Sequence, residues 1–493
     1  VAARIISAAA PWLQEVEPVA PRAHKTQAPP SLQFFFCSPT YSLLLRMTEP
    51  LFIPLCPRPV HGSIRPPGSK SITNRAMVCA SLARGTSLLS GVLDSQDTRV
   101  MAEGLAALGI SIVPDWQGKT IRVGGCGGTI PAGHASIDCA ASGTTIRFLS
   151  AVCALGHGTF RLDGTPRMRQ RPIGDLLEAL RSLGVDASAE SPGDCPPVVV
   201  RSQGLAGGHT TVRGNTSSQF ASGLAMIAPC TPLGMTLDFE GRLVSMPYLE
   251  ITRQVVASFG AHCDSTLASR WQIAPTGYAA ADYAIEPDAS AASYFFAAAA
   301  MTGGSVRVEG LSRKSMQGDV GFCDVLEKMG CAVQWNNDAT SQSITVSGRA
   351  QRGIDIDMNA ISDTVPTLAV VALFADGPTT IRNVKHIRDK ETDRIRDLAC
   401  ELRKLGADVS EHADGLTISP PLHPTTRQAV TLTTYDDHRM AMSLSLAGLR
   451  VPGVGILDPA CVGKTFPDYW QQLATIAMLD TVHWPIAFQP TKA

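Results

Sequence analysis

Six times along the chain, at intervals of roughly 75 residues, a short polar cluster opens a run of small and apolar residues that gives way to a Gly-Thr or Gly-Ser step. The openings are Gly68-Ser69-Lys70-Ser71, Ser142-Gly143-Thr144-Thr145, Ser217-Ser218-Gln219, Asp288-Ala289-Ser290, Asp363-Thr364 and Asp436-Asp437-His438-Arg439. Their lead residues 69, 142, 217, 288, 363 and 437 are separated by 73, 75, 71, 75 and 74 positions. Five units also end a second, amphipathic helix pattern with a glycine, at Gly109, Gly184, Gly260, Gly330 and Gly406. Two landmarks that keep step over this length imply an internally repeated fold.

Each cluster sits where a helix should begin. Ser, Thr and Asp accept hydrogen bonds from the unpaired N–H groups of the first turn. N–H groups left over form an anion site backed by the helix dipole. The first three clusters carry no carboxylate and the last three each carry at least one Asp. If units one to three form one globule and units four to six another, one presents anion-receptive helix ends and the other presents acids. A cleft between them suits a reactive anionic ligand.

A length of 493 residues exceeds one ordinary core and fits two globules of about 200 residues each. With 42 Lys and Arg against 43 Asp and Glu, no global charge favours nucleic acid, and no basic stripe is interleaved with aromatics. The 13 cysteines show neither Cys-x-x-Cys nor Cys/His ligand spacing. They read as mostly buried thiols in a reducing compartment, which predicts a cytoplasmic protein. No apolar run reaches the roughly 20 residues of a membrane span. Residues 1–46 lack the repeat and read as a disordered extension or a misassigned start, with Met47 as the natural beginning. The first strand pattern follows it at Leu51-Phe52-Ile53-Pro54-Leu55.

The second unit shows the architecture most plainly. Ser142 to Thr145 cap a helix running through Ile146-Arg147-Phe148-Leu149 to Leu155, nearly apolar all round and therefore buried. A strand follows at Thr159–Leu162, then a loop, Asp163 to Pro172. Next comes an amphipathic helix marked by Ile173, Leu176, Leu177, Leu180 and Leu183, and another strand at Val198–Val200. The predicted fold is α/β, with two similar domains of three such units whose buried helices are enclosed by sheets.

With those residues in view, the chain from about Pro57 to about Ala477 resembles the 5-enolpyruvylshikimate-3-phosphate synthases. The strings that carry the resemblance are Pro67-Gly68-Ser69-Lys70-Ser71-Ile72-Thr73-Asn74-Arg75-Ala76, Arg388-Asp389-Lys390-Glu391-Thr392-Asp393-Arg394, Asp437-His438-Arg439-Met440-Ala441-Met442 and Lys464-Thr465-Phe466-Pro467-Asp468-Tyr469. The resemblance implies βαβαββ units, a shikimate 3-phosphate domain over 69–285, and a second domain of 47–68 plus 286–493 with most of the acid/base and phosphoenolpyruvate residues. It implies transfer of the carboxyvinyl group of phosphoenolpyruvate to the 5-hydroxyl of shikimate 3-phosphate. No metal or redox cofactor is implied, and the expected state is a monomer with small-molecule substrates.

By similarity, Lys70, Gly143, Arg167, Gln219, Arg394, Arg439 and Lys464 hold phosphoenolpyruvate. Lys70, Ser71, Arg75, Ser217, Ser218, Gln219, Ser245, Tyr248, Asp363, His386 and Lys390 meet shikimate 3-phosphate. Lys70, Asp363 and Glu391 are the expected catalytic groups, with Glu391 donating to carbon and Asp363 and Lys70 managing the hydroxyl proton. Arg169 and Arg171 are ambiguous, since basic residues before a helix often form only surface pairs of small energetic value, and they are left out of the site. Two positions depart from the family: Ala140-Ala141 replaces a usual Gly-Asn, and His386 stands where Asn is common. The alternatives are a UDP-N-acetylglucosamine enolpyruvyl transferase, whose reactive Cys is missing from the loop Gly164 to Arg171, and a catalytically silent binding protein on the same scaffold.

Overall fold

The computed structural model describes residues 49–213, 217–241, 244–267, 269–338, 341–421 and 428–489. The expectation for residues 1–46 lies outside them. Among the described residues twelve α-helices come in pairs: α1 (Lys70–Leu82) and α2 (Gln96–Ala107), α3 (Gly143–Cys153) and α4 (Gly174–Ser182), α5 (Ser218–Ile227) and α6 (Met246–Ser258). They continue as α7 (Ala289–Thr302) and α8 (Phe322–Lys328), α9 (Val365–Ala372) and α10 (Arg394–Lys404), α11 (His438–Gly448) and α12 (Tyr469–Ala477). The first of each pair is the inner helix. Every residue of α3 and of α11 is buried, as their all-round apolar composition requires. The α3 and α5 helices approach closely because Gly223 faces Ala151 and the Arg147 carbonyl, which a Cβ would meet at 3.3 Å.

The second unit is strand His134–Asp138, α3, strand His157–Asp163, α4, then the hairpin Asp186–Ser191 and Cys195–Gln203. Its first two strands pair in parallel, with α3 as the crossover, and the hairpin closes the sheet antiparallel. Among the described residues five four-stranded sheets follow this scheme, and a three-stranded sheet keeps the parallel pair, Val430–Leu432 with Val454–Ile456, but is closed by Leu51–Phe52 in place of a hairpin. Two clusters of buried apolar side chains result. One runs from Ile72 to Ile285, and the other joins Leu51, Ile53, Val60 and Ile64 to residues from Ala289 to Phe488.

The repeat pattern does not reveal one exchange. Strand His61–Ile64, which precedes α1, pairs with Ser305–Glu309 of the fourth unit. Strand Asp282–Ala284, which precedes α7, pairs with Leu88–Ser90 of the first. The two crossing segments meet at a bridge between Gly68 and Pro287, where Ser69 N–H donates to the Glu286 carbonyl and Asp288 N–H to the Pro67 carbonyl, both at 2.8 Å.

Only glycine fits at 68, because a Cβ there would lie 2.0 Å from the Gly91 carbonyl oxygen. Gly68→Ala should therefore destabilise the protein by about 1–3 kcal/mol, the usual range for overpacking against an element that must shift. A lower urea midpoint checks this; an unchanged midpoint would show that the crossing yields freely.

Candidate active site

Five of the six lead residues stand at helix N-caps: Ser69, Ser142, Ser217, Asp288 and Asp437. Ser142 Oγ accepts from Thr145 N–H at 3.3 Å and Ser217 Oγ from Gln219 N–H at 3.3 Å. Ser69 makes no side-chain cap bond. Asp288 serves two helices: Oδ1 takes Ala291 N–H of its own α7 at 2.9 Å, and Oδ2 takes Lys70 N–H of α1 at 3.2 Å. Asp363 is the exception. It lies inside the 3-10 turn Asn359–Thr364, one residue before the N-cap Thr364 of α9, which itself makes no side-chain cap bond.

The starts of α1, α3 and α5 and the turn before α9 meet at one cavity lined by Lys70, Ser71, Ser217, Ser218, Gln219, Ser245, Tyr248, Asp363, His386 and Lys390, with Thr144 and Val244. Ser245 adopts a left-handed conformation, φ 54°. It is fastened through its N–H to Asn359 Oδ1 at 3.2 Å and through its hydroxyl to His386 Nε2 at 3.3 Å. Burial, then Lys390, pushes the His386 imidazole down to about 4, so it is neutral at pH 7. Burial likewise pushes the Lys390 ammonium down to about 8, with Asp363 opposing. Arg75 does not line this cavity. Its guanidinium donates to Thr252 Oγ1 at 2.7 Å, the Ser71 carbonyl at 2.9 Å, Ser222 Oγ at 3.2 Å and the Tyr248 carbonyl at 3.3 Å.

An adjoining cavity shares Lys70, Thr144, Gln219, Asp363 and Lys390 with the first and adds Asp97, Gly143, Arg171, Glu391, Arg394 and Arg439. Arg394 donates to Asp363 Oδ1 at 3.2 Å, Glu391 Oε2 at 3.0 Å and both oxygens of Asp437, at 2.8 and 3.2 Å. Arg439 reaches Asp363 Oδ2 at 2.8 Å, and Lys464 reaches Glu391 Oε1 at 2.9 Å. Burial alone would raise both carboxyls. Arg439, Lys390, Arg394 and Lys70 instead hold Asp363 well below the carboxylate range, and Lys464, Arg394 and Arg171 do the same for Glu391. Both acids are ionised at neutral pH. Lys70 pairs with buried Asp97 at 3.3 Å.

Arg167 and Lys464 do not line either of these cavities. Arg167 donates to the backbone carbonyls of Glu391 and Lys390 at 3.0 Å each, and Lys464 adds a bond to the Ala141 carbonyl at 3.1 Å. These contacts tie units two and five, and units two and six, across the site. His438 is buried, and burial, then Lys70 and Lys464, holds its ring neutral against the opposing charge of Glu391.

Three side chains packed around the site escaped the sequence reading. Arg147 emerges from the apolar α3, donates to Gln219 Oε1 at 2.7 Å and stacks over Phe220 at 5.2 Å; a lone Arg within an apolar helix was the available signal. Arg171 is buried, not a surface pair, and packs on Gly143, where a Cβ would fall 2.8 Å from its guanidinium nitrogens. The surface-pair reading holds only for Arg169, bonded to Asp163 at 2.9 and 2.8 Å. Asp319 contacts Tyr248 beside Asp363; nothing in the repeat marks it.

Paired sheet-and-helix units around buried helices, with a cation-rich site where they converge, define an enolpyruvyl transferase fold. The structure matches the enolpyruvyl transferase NikO from Streptomyces tendae with a TM-score of 0.67 at 20% identity, covering 88% of this chain and 98% of that one. It matches the EPSP synthase from Acinetobacter baumannii with a TM-score of 0.72 at 23% identity, covering 86% and 97%. Sequence narrows the class. The EPSP synthase (3-phosphoshikimate 1-carboxyvinyltransferase) family profile matches residues 56–473. The 3-phosphoshikimate 1-carboxyvinyltransferase of Nostoc punctiforme is 48% identical over 421 residues, 85% of this chain and 97% of that protein. That of Serratia proteamaculans is 45% identical over 423 residues, with the same coverage. The chain belongs to the EPSP synthase family.

Ala140 has φ 45°, a left-handed conformation that costs a non-glycine residue about 1–2 kcal/mol. Ala140→Gly should relieve that strain, less about 0.4–1 kcal/mol of added unfolded-state entropy. A gain of up to about 1.6 kcal/mol follows from these opposing terms. Chemical denaturation of the variant checks the sign; a loss of stability would show that the alanine methyl packs usefully.

Proposed function

We infer that this chain transfers the carboxyvinyl group of phosphoenolpyruvate to the 5-hydroxyl of shikimate 3-phosphate and releases phosphate, a step of the shikimate pathway toward chorismate and the aromatic amino acids. Beyond family membership, one observation carries the residue assignment. Asp363 and Glu391, both ionised, are held apart by the single guanidinium of Arg394 at the junction of two cavities.

Addition and elimination make opposite proton demands. In addition, the 5-hydroxyl oxygen bonds to the substituted carbon of phosphoenolpyruvate, its proton passes to Asp363, and the methylene carbon takes a proton from Glu391. In elimination, the new methyl group returns a proton to Glu391, and the carbon–oxygen bond to phosphate breaks with the electron pair leaving on phosphate, which takes up the proton held by Asp363 and restores both acids. Glu391 starts as a carboxylate paired to Lys464 and Arg394. Phosphoenolpyruvate, an anion, competes for those two cations and so lets Glu391 take up the proton it must donate. Lys70 stands between the cavities and serves the hydroxyl proton and both substrates.

We assign shikimate 3-phosphate to the first cavity. Ser217, Ser218 and the α5 N–H groups suit its phosphate, and Ser71, Ser245, Tyr248, His386 and Lys390 surround its ring. Arg75 acts by holding the Ser71 and Tyr248 carbonyls. Phosphoenolpyruvate takes the second cavity, with Lys70, Gly143, Gln219, Arg394 and Arg439. Arg167 and Lys464 exchange carbonyl partners for its oxygens, since bonds to an anion are stronger. The domains are read as 69–285 and 47–68 plus 286–493, following the two apolar clusters and the exchanged strands. Because one chain supplies the whole set, we read the working unit as a monomer, acting in the cytoplasm. Among the described residues no helix is long and apolar enough to cross a membrane.

Phosphate release from phosphoenolpyruvate by the purified protein tests the reading, with shikimate 3-phosphate and UDP-N-acetylglucosamine as parallel acceptors. Release with shikimate 3-phosphate alone is expected, and Glu391→Gln should lower kcat by about 10²–10⁴, the range for a positioned acid or base. Near-normal turnover of that variant at saturating substrates would remove Glu391 from the proton path. Lys390 is charged below about 8 and neutral above it. Shikimate 3-phosphate affinity should therefore fall as pH rises through that value, with proton uptake on binding. Calorimetric titration in buffers of different ionisation enthalpy checks both; a flat affinity between pH 7 and 9 would take Lys390 out of the anion site.

A further inference from the structure

Asp319 lies in the 3-10 turn Gly318–Gly321 and has no part in the scheme above. It is 5% exposed. Its Oδ2 accepts a hydrogen bond from Ser290 Oγ and lies 3.1 Å from Tyr248 Oη. The same phenol oxygen lies 3.0 Å from Asp363 Oδ2. A phenol carries one hydrogen, so it serves one acid at a time, and two buried carboxyl groups compete for it.

The competitors are unequal. Asp363 is already supplied by Arg394 and Arg439. The hydrogen-bond partners of Asp319 are the hydroxyls of Ser290 and Tyr248, and its Oδ1 is buried with no hydrogen-bond partner among the described residues. A buried carboxylate without a bonded cation gains most from each donor it can hold.

We propose that Asp319 is a positioning residue for the reaction: as a carboxylate it draws the Tyr248 hydroxyl hydrogen away from Asp363, leaving Asp363 Oδ2 open to accept from the substrate hydroxyl. The proposal rests on the reading of Asp363 as the base. When Asp319 is protonated, its own O–H donates to the Tyr248 oxygen and the phenol hydrogen turns to Asp363, occupying the lone pair that the base needs. No atom is transferred; the two states differ in which way the hydrogen bonds run.

The groups that face Asp319 come from four other elements. They are Asp288 and Ser290 at the start of α7, Tyr248 on α6, Asp363 in the turn before α9, and Arg439 on α11. Burial, then Asp363, pushes the Asp319 carboxyl up to about 6, while Ser290 and Arg439 oppose the rise. The group is thus neutral below that value and charged above it, and the base is freed as pH rises through it.

The test is the pH profile of kcat from 5 to 9, with both Michaelis constants, for the wild type, Asp319→Asn, Ser290→Ala and Asp363→Asn. In Asp319→Asn the acid limb near pH 6 should disappear and kcat at pH 7.5 should fall about tenfold, a fraction of what a positioned base contributes, with both KM values within about twofold. Ser290→Ala removes a donor that favours the Asp319 carboxylate, so its acid limb should move to higher pH while maximal kcat is kept. This second variant answers the question even if Asp319→Asn does not fold. A wild-type profile in Asp319→Asn, a loss confined to KM, or an unmoved limb in Ser290→Ala overturns the proposal. Full activity in Asp363→Asn would instead remove the base reading, and the proposal with it.

Discussion

Arg394 is the charge around which the site is built. Its side chain is 1% exposed, yet it carries a full charge and bonds three carboxylates, on Asp363, Glu391 and Asp437. A buried cation is tolerated only where its donors meet acceptors, and a planar guanidinium reaches three acids only if they approach from different directions. They do so from the turn before α9, the loop before α10 and the N-cap of α11. Packing of the last units and placement of Asp363 and Glu391 are therefore one constraint. Three carboxylates around one cation leave excess negative charge, which Arg439 on Asp363 and Lys464 on Glu391 offset.

A second constraint couples the halves. The amide of Lys70 is bonded by the Asp288 carboxylate, which also caps α7, while Ser69 leaves its own helix uncapped. The lysine that lines both cavities is thus oriented from the fourth unit. The exchanged strands His61–Ile64 and Asp282–Ala284 run through the same crossing. Arg167 and Lys464 add bonds from the opposite side to backbone carbonyls of the facing half. Carbonyl partners of this kind are weaker than anionic ones, so ligand oxygens could replace them without dismantling the halves.

The repeat was legible because capping chemistry and apolar periodicity are local. A helix start needs an oxygen near its first amides, and an inner helix needs apolar residues on every side. Sequence spacing alone therefore located α3 and α4 to within a few residues. The strand exchange was not legible: four-residue strands such as His-Gly-Ser-Ile carry no mark of which sheet they join, and the choice belongs to tertiary packing. Arg171 was discounted because basic residues ahead of a helix are commonly surface pairs. What distinguishes it from Arg169 is the absence of a side chain at Gly143, a contact between residues far apart in sequence. Asp319 lay in a turn outside both landmarks, so only its neighbours identify it.

Comparison of the fifth and sixth units shows how one repeated position is released from helix capping. Asp437 sits at its N-cap, accepts Arg439 N–H at 2.8 Å and is fully buried; it orients Arg394 and is committed to backbone. Asp363 occupies the matching place in the spacing but falls one residue short of the cap, in a turn whose Ile361 departs from helical geometry with φ −127°. That shift forgoes about 1 kcal/mol of capping and leaves a carboxylate held by side chains alone. Side-chain donors such as Tyr248, Arg394 and Arg439 can trade partners when a substrate hydroxyl arrives, whereas helix amides cannot without unwinding the helix. A carboxylate used as a base must be able to lose a hydrogen bond and accept a proton. The offset of one residue in the fifth unit is what separates a carboxylate held by exchangeable side chains from one fixed to its helix, the property that the proposed role of Asp363 as base requires.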